Sequence, residues 1–252
     1  MLFVADIGNS STVTGVFDGA NLVDRWELTT IERTADEYRL LLAGVLATYR
    51  GRLTGAAISS VVPRMAGVIR AAVDGIVTGP VVLVGPGTKT GMPIRIDNPR
   101  EVGADRIANA LGAVEGFGAP IIAVDFGTAT TLDVVDSSGA YIGGIIAPGV
   151  RISADALVRA TSALRRVEVE VPRHVVGRST VEAIQSGLVH GFAGLVDGLV
   201  RKVMEEAGFA EVPVVATGGL SSVLAPVSAT ITHVDPDLTL RGLRIVFDRN
   251  SI

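Results

Sequence analysis

Two stretches of the 252-residue chain carry the same acid–glycine–hydroxyl pattern: Asp6-Ile7-Gly8-Asn9-Ser10-Ser11-Thr12-Val13 and Asp125-Phe126-Gly127-Thr128-Ala129-Thr130-Thr131. An aspartate at the end of a strand can hold a cation, directly or through water. The glycine two residues on lets backbone amides come close to an anion, and the hydroxyls beyond it can donate to phosphate oxygens. Two such turns facing each other could grip a nucleotide triphosphate from both sides. A third group, Gly103-Ala104-Asp105-Arg106, sets a carboxylate beside a guanidinium. A carboxylate near a reacting hydroxyl can take its proton, and a guanidinium binds an anionic substrate in a planar fork. The same residues read equally well as a surface ion pair of little energetic weight, and spacing alone does not choose.

Other glycine-rich stretches are less informative. The segment Gly85-Pro86-Gly87-Thr88-Lys89-Thr90 is not a Walker motif, because no glycine precedes the lysine and Pro86 removes a backbone donor. It is not a dinucleotide fingerprint either, since the third glycine is misplaced. Gly143-Gly144 and Pro148-Gly149 could place amides or a helix start near an anion, or simply connect a strand to a helix. Thr217-Gly218-Gly219, after an apolar run, resembles an adenosine-contacting turn.

The elements that must position these residues repeat as well. Asp6 and Asp125 stand 119 residues apart, close to half the chain. Each copy follows a short apolar run and precedes a strand-like run ending in a turn signal, Asp18-Gly19 or Ser138-Gly139. A duplicated two-domain chain is the natural reading. Strands are expected at 2–7, 12–17 and 21–28, as an antiparallel meander. A helix should start after Thr34, where Glu37 completes a capping box, and run to about residue 49. A strand at 56–61, a helix from Pro63 to about 74 and a strand at 81–84 complete the first half. After a loop over 85–99, a helix is expected from 100 to about 116. The second half should hold strands at 121–125, 131–136, 140–146 and 212–217, with helices over 148–163 and 179–207. Leu240-Arg241-Gly242-Leu243 belongs on a closing helix. The expected domains are 1–117 and 118–252, with the last helix able to pack on the first.

Composition narrows the class. With 48% hydrophobic residues the chain can build large cores without staples. The absence of cysteine excludes disulfides and thiolate metal sites, and the three histidines, His174, His190 and His233, show no metal-ligand spacing. A net charge of −4 argues against a broad basic surface for nucleic acid. The first residues have no basic run and too short an apolar one for a signal peptide, and the longest uncharged stretches are broken by Gly and Pro. A cytoplasmic protein without membrane attachment is expected.

Taken in order, Asp6-x-Gly8-Asn9-Ser10, the run Asn98-Pro99-Arg100-Glu101-Val102-Gly103-Ala104-Asp105-Arg106, Asp125 to Thr131, Gly143-Gly144, Pro148-Gly149, Gln185-Ser186-Gly187 and Thr217-Gly218-Gly219 resemble one family. The chain looks like a type III pantothenate kinase, within the actin, hexokinase and Hsp70-like ATPase superfamily. The resemblance implies an α/β fold of two duplicated actin-like (ribonuclease H-like) lobes with a nucleotide cleft between them. It implies phosphorylation of the terminal hydroxyl of pantothenate, the first step towards coenzyme A, by a homodimer using ATP with Mg2+ and a monovalent cation, K+ or NH4+. By position, Asp6, Ile7, Gly8, Asn9, Ser10, Ser11, Thr12, Val13 and Thr128 would contact ATP. Asp125 would bind the monovalent cation and Asp105 would be the general base. Gly103, Ala104, Asp105 and Arg106, with Thr180, would contact pantothenate. Many family members carry a tyrosine where Ile96 stands, so its side-chain hydrogen bond to pantothenate is missing here. A kinase for another small hydroxy-acid and a non-catalytic regulatory protein on the same fold remain as alternatives.

Overall fold

The computed structural model describes residues 1–161 and 164–251. By contacts the chain divides into two compact units, one comprising Met1–Glu115 with Asp237–Ile252 and the other Gly116–Pro236.

In the first unit, strands β1 (Leu2–Ile7), β2 (Ser11–Asp18), β3 (Asn21–Thr29), β4 (Gly55–Ser60) and β5 (Val81–Leu83) form one sheet in the order β3-β2-β1-β4-β5. β1 is antiparallel to β2 and parallel to β4. Residues along a strand alternate between faces, and β1 is apolar on both. Phe3, Ala5 and Ile7 pack with helices α1 (Ala35–Val45) and α2 (Pro63–Val73) through Tyr38, Leu42, Met65 and Ile69. Leu2 and Val4 instead join Ala108 of α3 (Ala104–Phe117) and Leu240 and Leu243 of α7 (Leu238–Asn250). The C-terminal helix thus belongs to the first unit.

The second unit repeats this plan. Strands β6 (Ile121–Phe126), β7 (Ala129–Val135), β8 (Tyr141–Pro148), β9 (Val214–Thr217) and β10 (His233–Val234) form a sheet in the order β10-β9-β6-β7-β8. Ile122, Val124 and Phe126 bury against Leu188, Val189, Val196 and Val200 of α5 (Thr180–Ala207), with α4 (Val150–Arg159) and α6 (Ser221–Leu224) completing the cluster. By length and composition α5 could cross a membrane, but its apolar stripe forms the core of this unit.

The duplication extends to register. Asp6 lies opposite Ser59 of the parallel neighbour, and Asp125 lies opposite Thr217. In each sheet the ladder on the far side of the hairpin's second strand, β2 with β3 and β7 with β8, is antiparallel and slips once, at Val16/Phe17 and at Val134/Val135. Asp6 pairs with Val13 across its hairpin and Asp125 with Thr131 across its own, so the second turn is one residue shorter.

Three expected helices differ in extent. The first ends at Val45 and continues only as a 3₁₀ turn, Ala47–Tyr49. The helix expected from residue 100 breaks into a 3₁₀ turn, Pro99–Glu101, and α3 beginning at Ala104. Asn98 caps the short turn by accepting from the Arg100 N–H, which spends the local start signal there. The helix expected over 148–163 is α4, because Pro148 closes β8; residues 162 and 163 lie outside the described residues.

Candidate functional site

The first acidic turn is held by its neighbours on the sheet. The fully buried Ser59 donates its hydroxyl to Asp6 Oδ1 at 2.5 Å. The Gly8 N–H closes the turn on the Ser11 carbonyl at 2.9 Å, and a Cβ on Gly8 would stand 2.9 Å from the same oxygen. Thr30 braces the outside, donating its N–H to the Ser10 carbonyl at 3.1 Å and sharing a 2.9 Å hydroxyl contact with Thr12. Ile7 and Thr12 are buried in the sheet, whereas Asn9 and Ser10 are exposed. Of the eight residues expected to contact ATP here, Asn9 and Ser10 at the tip are therefore the exposed ones, and the Gly8 N–H is used within the turn. Ile7 can offer only its backbone.

The second turn is built by three chain segments. The Gly127 N–H donates to the Ala129 carbonyl at 3.1 Å. Gly218, at φ +86°, lies so close that a Cβ would strike Asp125 Oδ1 and come within 2.8 Å of the Phe126 nitrogen. Gly149, just before α4, lies against the Thr128 carbonyl, and a Cβ there would stand 2.9 Å from the Gly127 oxygen. Ser221 fixes the Gly218 turn, donating both Oγ–H (2.8 Å) and N–H (3.1 Å) to the Gly218 carbonyl. Pro148-Gly149 and Thr217-Gly218 thus converge on the turn that holds Asp125 and Thr128.

The third group opens α3. Asp105 sits in its first turn, and Gly103 must lack a side chain because a Cβ would strike Asp105 Oδ1. That oxygen is buried and has no hydrogen-bond partner. Burial raises the Asp105 pKa above the ordinary carboxylate range, while the backbone N–H and guanidinium of Arg106 pull the other way. An orphaned carboxylate oxygen with raised proton affinity is suited to receive a proton.

Asp6 to Val13 and Gly103 to Arg106 belong to the first unit, and Asp125, Thr128 and Thr180 to the second. Thr180 is the exposed first residue of α5, following Ser179, which caps the helix by accepting from the Glu182 N–H at 3.2 Å. Sequence reasoning missed Ser59. Its signal lies in register: Ser59 stands beside Asp6 as Thr217 stands beside Asp125. Among the described residues, no three His, Asp or Glu side chains converge as a metal site.

The chain matches a family model described as type III pantothenate kinase over residues 2–202. It is 51% identical to a type III pantothenate kinase of Frankia alni, with 99% of this chain and 100% of that protein covered. Among solved structures it is similar to an activator of the 2-hydroxyisocaproyl-CoA dehydratase from Clostridium difficile with bound ADPNP, at TM-score 0.54 and 12% identity, covering 99% of this chain and 95% of that one. It is also similar to the ROK hexokinase from Thermus thermophilus, at TM-score 0.52 and 15% identity, covering 97% of each chain. At such identities these structures speak for the fold alone: two mixed sheets with helices, in the manner of the actin- and hexokinase-like ATPases.

Proposed function

The chain belongs to the type III pantothenate kinases, and on that premise we propose that it transfers the γ-phosphoryl group of ATP to the terminal hydroxyl of pantothenate. One observation carries the chemical part of this reading: the buried, unpartnered Oδ1 of Asp105 at the start of α3. Asp105 takes the proton of the primary alcohol as its oxygen bonds to the γ-phosphorus. The bond from that phosphorus to the β-phosphate oxygen breaks, and ADP leaves. Gly103, Ala104 and Arg106 hold the acceptor, with the Arg106 guanidinium facing its carboxylate, and Thr180 contributes its hydroxyl.

Phosphoryl transfer depends mostly on positioning and charge neutralisation. Asp6, Ile7, Gly8, Asn9, Ser10, Ser11, Thr12, Val13 and Thr128 supply the amides and hydroxyls for the ATP phosphates. Asp125 is the ligand for K+ or NH4+. Asp125, near the end of β6, supplies the carboxylate oxygen that such a cation takes. Such an ion offsets phosphate charge where neither turn offers a lysine. Mg2+ enters with ATP, with the Ser59-held carboxylate of Asp6 as the protein group suited to it.

The protein works as a homodimer in the cytoplasm. The dimer follows from the family resemblance, and apolar side chains exposed on the second unit, Ile146 at 66%, Val175 at 67% and Val176 at 82% of their surface, are available to it. Sedimentation at micromolar concentration tests it, and a monomer there refutes it.

ADP release measured with pantothenate, ATP and Mg2+, in K+ and in Na+ at equal ionic strength, tests the reaction. Pantothenate-dependent turnover favoured by K+ is expected, and its absence from folded protein in both salts overturns the reading. Asp125→Ala should lose most activity together with the K+ response. A variant with an unchanged salt response refutes the cation role.

A further inference from the structure

Residues 84–103 connect β5 to α3 and contain no α-helix and no strand beyond the single bridge residue Ile94, besides the 3₁₀ turn Pro99–Glu101. Long irregular connections inside a compact unit are uncommon and generally functional. This one ends on Gly103, two residues before Asp105. Local turns hold parts of it. Thr88 Oγ accepts from the Gly85 N–H at 3.0 Å, the side chain of Met92 is buried, and the Asn98 amide donates to Glu101 at 2.7 Å. None of these ties the segment to a regular element far along the chain.

α7 does so at its C-terminal end, and its other end is joined to α3. In its last turn, Asn250 grips the Lys89 peptide with two bonds, accepting from the Lys89 N–H at 3.0 Å and donating to the Lys89 carbonyl at 2.8 Å. Its remaining amide hydrogen goes to the Val246 carbonyl at 2.7 Å, which fixes the rotamer on its own helix. Beside it, the Arg249 guanidinium lies over Gly91, where a Cβ would stand 2.8 Å from it and where φ is +65°. At its other end α7 meets α3 backbone to backbone. Gly242 lies on the Ala108 carbonyl and Gly112 on that of Leu238, both too close for a Cβ. Thr239 donates to the buried Asn109 side chain at 2.6 Å. Thirteen residues of helix, about 20 Å at ~1.5 Å each, thus join the helix that carries Asp105 to the start of the segment leading into it.

We infer that α7 is a positioning strut for the acceptor segment, and that Asn250 is the clamp that sets the segment's near end for pantothenate. The clamp lies beyond residues 2–202, the part matched by the family model. The inference rests on the kinase reading, yet it separates from it. Loss of the clamp should change how the acceptor is held and leave the ATP turns untouched, because Asp6 to Val13 and Thr128 make no contact with Asn250 among its hydrogen bonds.

The test is a set of steady-state constants for both substrates in wild type, Asn250→Ala and, at the other end of the strut, Thr239→Val, with hydrogen exchange of the Lys89 amide. Two ordinary hydrogen bonds correspond to about tenfold in an equilibrium. Asn250→Ala should therefore raise the KM for pantothenate roughly 5–10-fold, with the KM for ATP within about twofold and Lys89 exchange about tenfold faster or more. Thr239→Val should shift the pantothenate KM in the same direction. A merely structural role would lower the melting temperature and degrade both substrates alike, and that outcome overturns the inference. So does a wild-type pantothenate KM in Asn250→Ala. Wild-type protein that does not phosphorylate pantothenate overturns the kinase reading and takes this inference with it.

Discussion

Replacing Asp105 by Asn should make the protein more stable and nearly inactive. The side chains have the same shape, so packing at the start of α3 is retained, and Gly103 still leaves the space that the group occupies. Charge changes. Wild-type Asp105 keeps Oδ1 buried without a partner, and burial raises its pKa. A buried polar atom left unsatisfied costs about 1–3 kcal/mol, more if charged. A neutral amide recovers part of this, about 1–2 kcal/mol by the same rule, which raises the melting temperature of a chain this long by roughly 2–8 °C. The dependence on pH fixes the sign. A raised carboxylate pKa means that the folded state binds the proton more tightly than the unfolded state. Stability from that proton is complete below the unfolded value, ~3.9, and is lost as pH rises through the higher folded value. The advantage of Asp105→Asn should therefore be greatest above the folded pKa and vanish near pH ~4. Turnover should fall about 10²–10⁴-fold above the folded pKa, and the deficit should narrow below it, where wild-type Asp105 is itself protonated. In the wild type, activity should decline with acidification at a pH above the ordinary carboxylate range. Calorimetry from pH 4 to 8, beside pantothenate-dependent ADP release, reads both. A variant that melts below the wild type at neutral pH, or one that keeps its turnover, refutes the role assigned to this carboxylate.

Two further predictions concern the second unit. Gly218→Ala forces a side chain into left-handed backbone, costing about 1–2 kcal/mol, and drives its Cβ into Asp125 and the Phe126 backbone, costing about 1–3 kcal/mol more. The melting temperature should fall by about 5–15 °C, and the K+ concentration for half-activation should rise; unchanged melting means that the turn has another conformation. Asp197 of α5, only 8% exposed, receives Ser228 Oγ–H at 2.5 Å, the Thr230 hydroxyl at 2.8 Å and the N–H groups of Ala229 and Thr230. Burial pushes its pKa up, but these donors outweigh it and hold the carboxyl below the usual range. Asp197→Ala should cost about 2–4 kcal/mol, or roughly 5–15 °C in melting temperature. Because the folded pKa is lowered, the wild type's advantage is present above pH ~4 and is lost as pH falls through the folded value; a difference in melting temperature that does not diminish at all on acidification counts against this account.

What the sequence disclosed, and what it did not, follows from the range of the forces involved. Strand β1 is legible because its apolar residues must cover both faces. The start of α1 is legible because Thr34 and Glu37 cap each other within a single turn, at 3.3 Å and 2.8 Å. The two acidic turns are legible because strand, tight glycine turn and strand follow one another over a few consecutive positions, and twice. Ser59 and Asn250 act across much longer separations, on Asp6 and Lys89 respectively, and nothing local marks a serine that will stand beside an aspartate. The shortened second turn is visible only once register is known, because inspection of spacing alone compares the aspartates and not their partners. Glycine shows the limit most sharply. Read along the chain, Gly149 suggests amides offered to an anion and Gly218 an adenosine-contacting turn. In the structure their lack of a side chain lets two crossing segments close on the Asp125–Thr128 turn. Gly112 and Gly242, which suggest nothing along the chain, serve the same steric purpose between α3 and α7. A missing Cβ is a statement about the neighbour that needs the space, and that neighbour is set by the fold. The duplicated turns therefore stand out along the chain, while the contacts that hold Asp105 and Asp125 in place belong to tertiary structure and must be tested there.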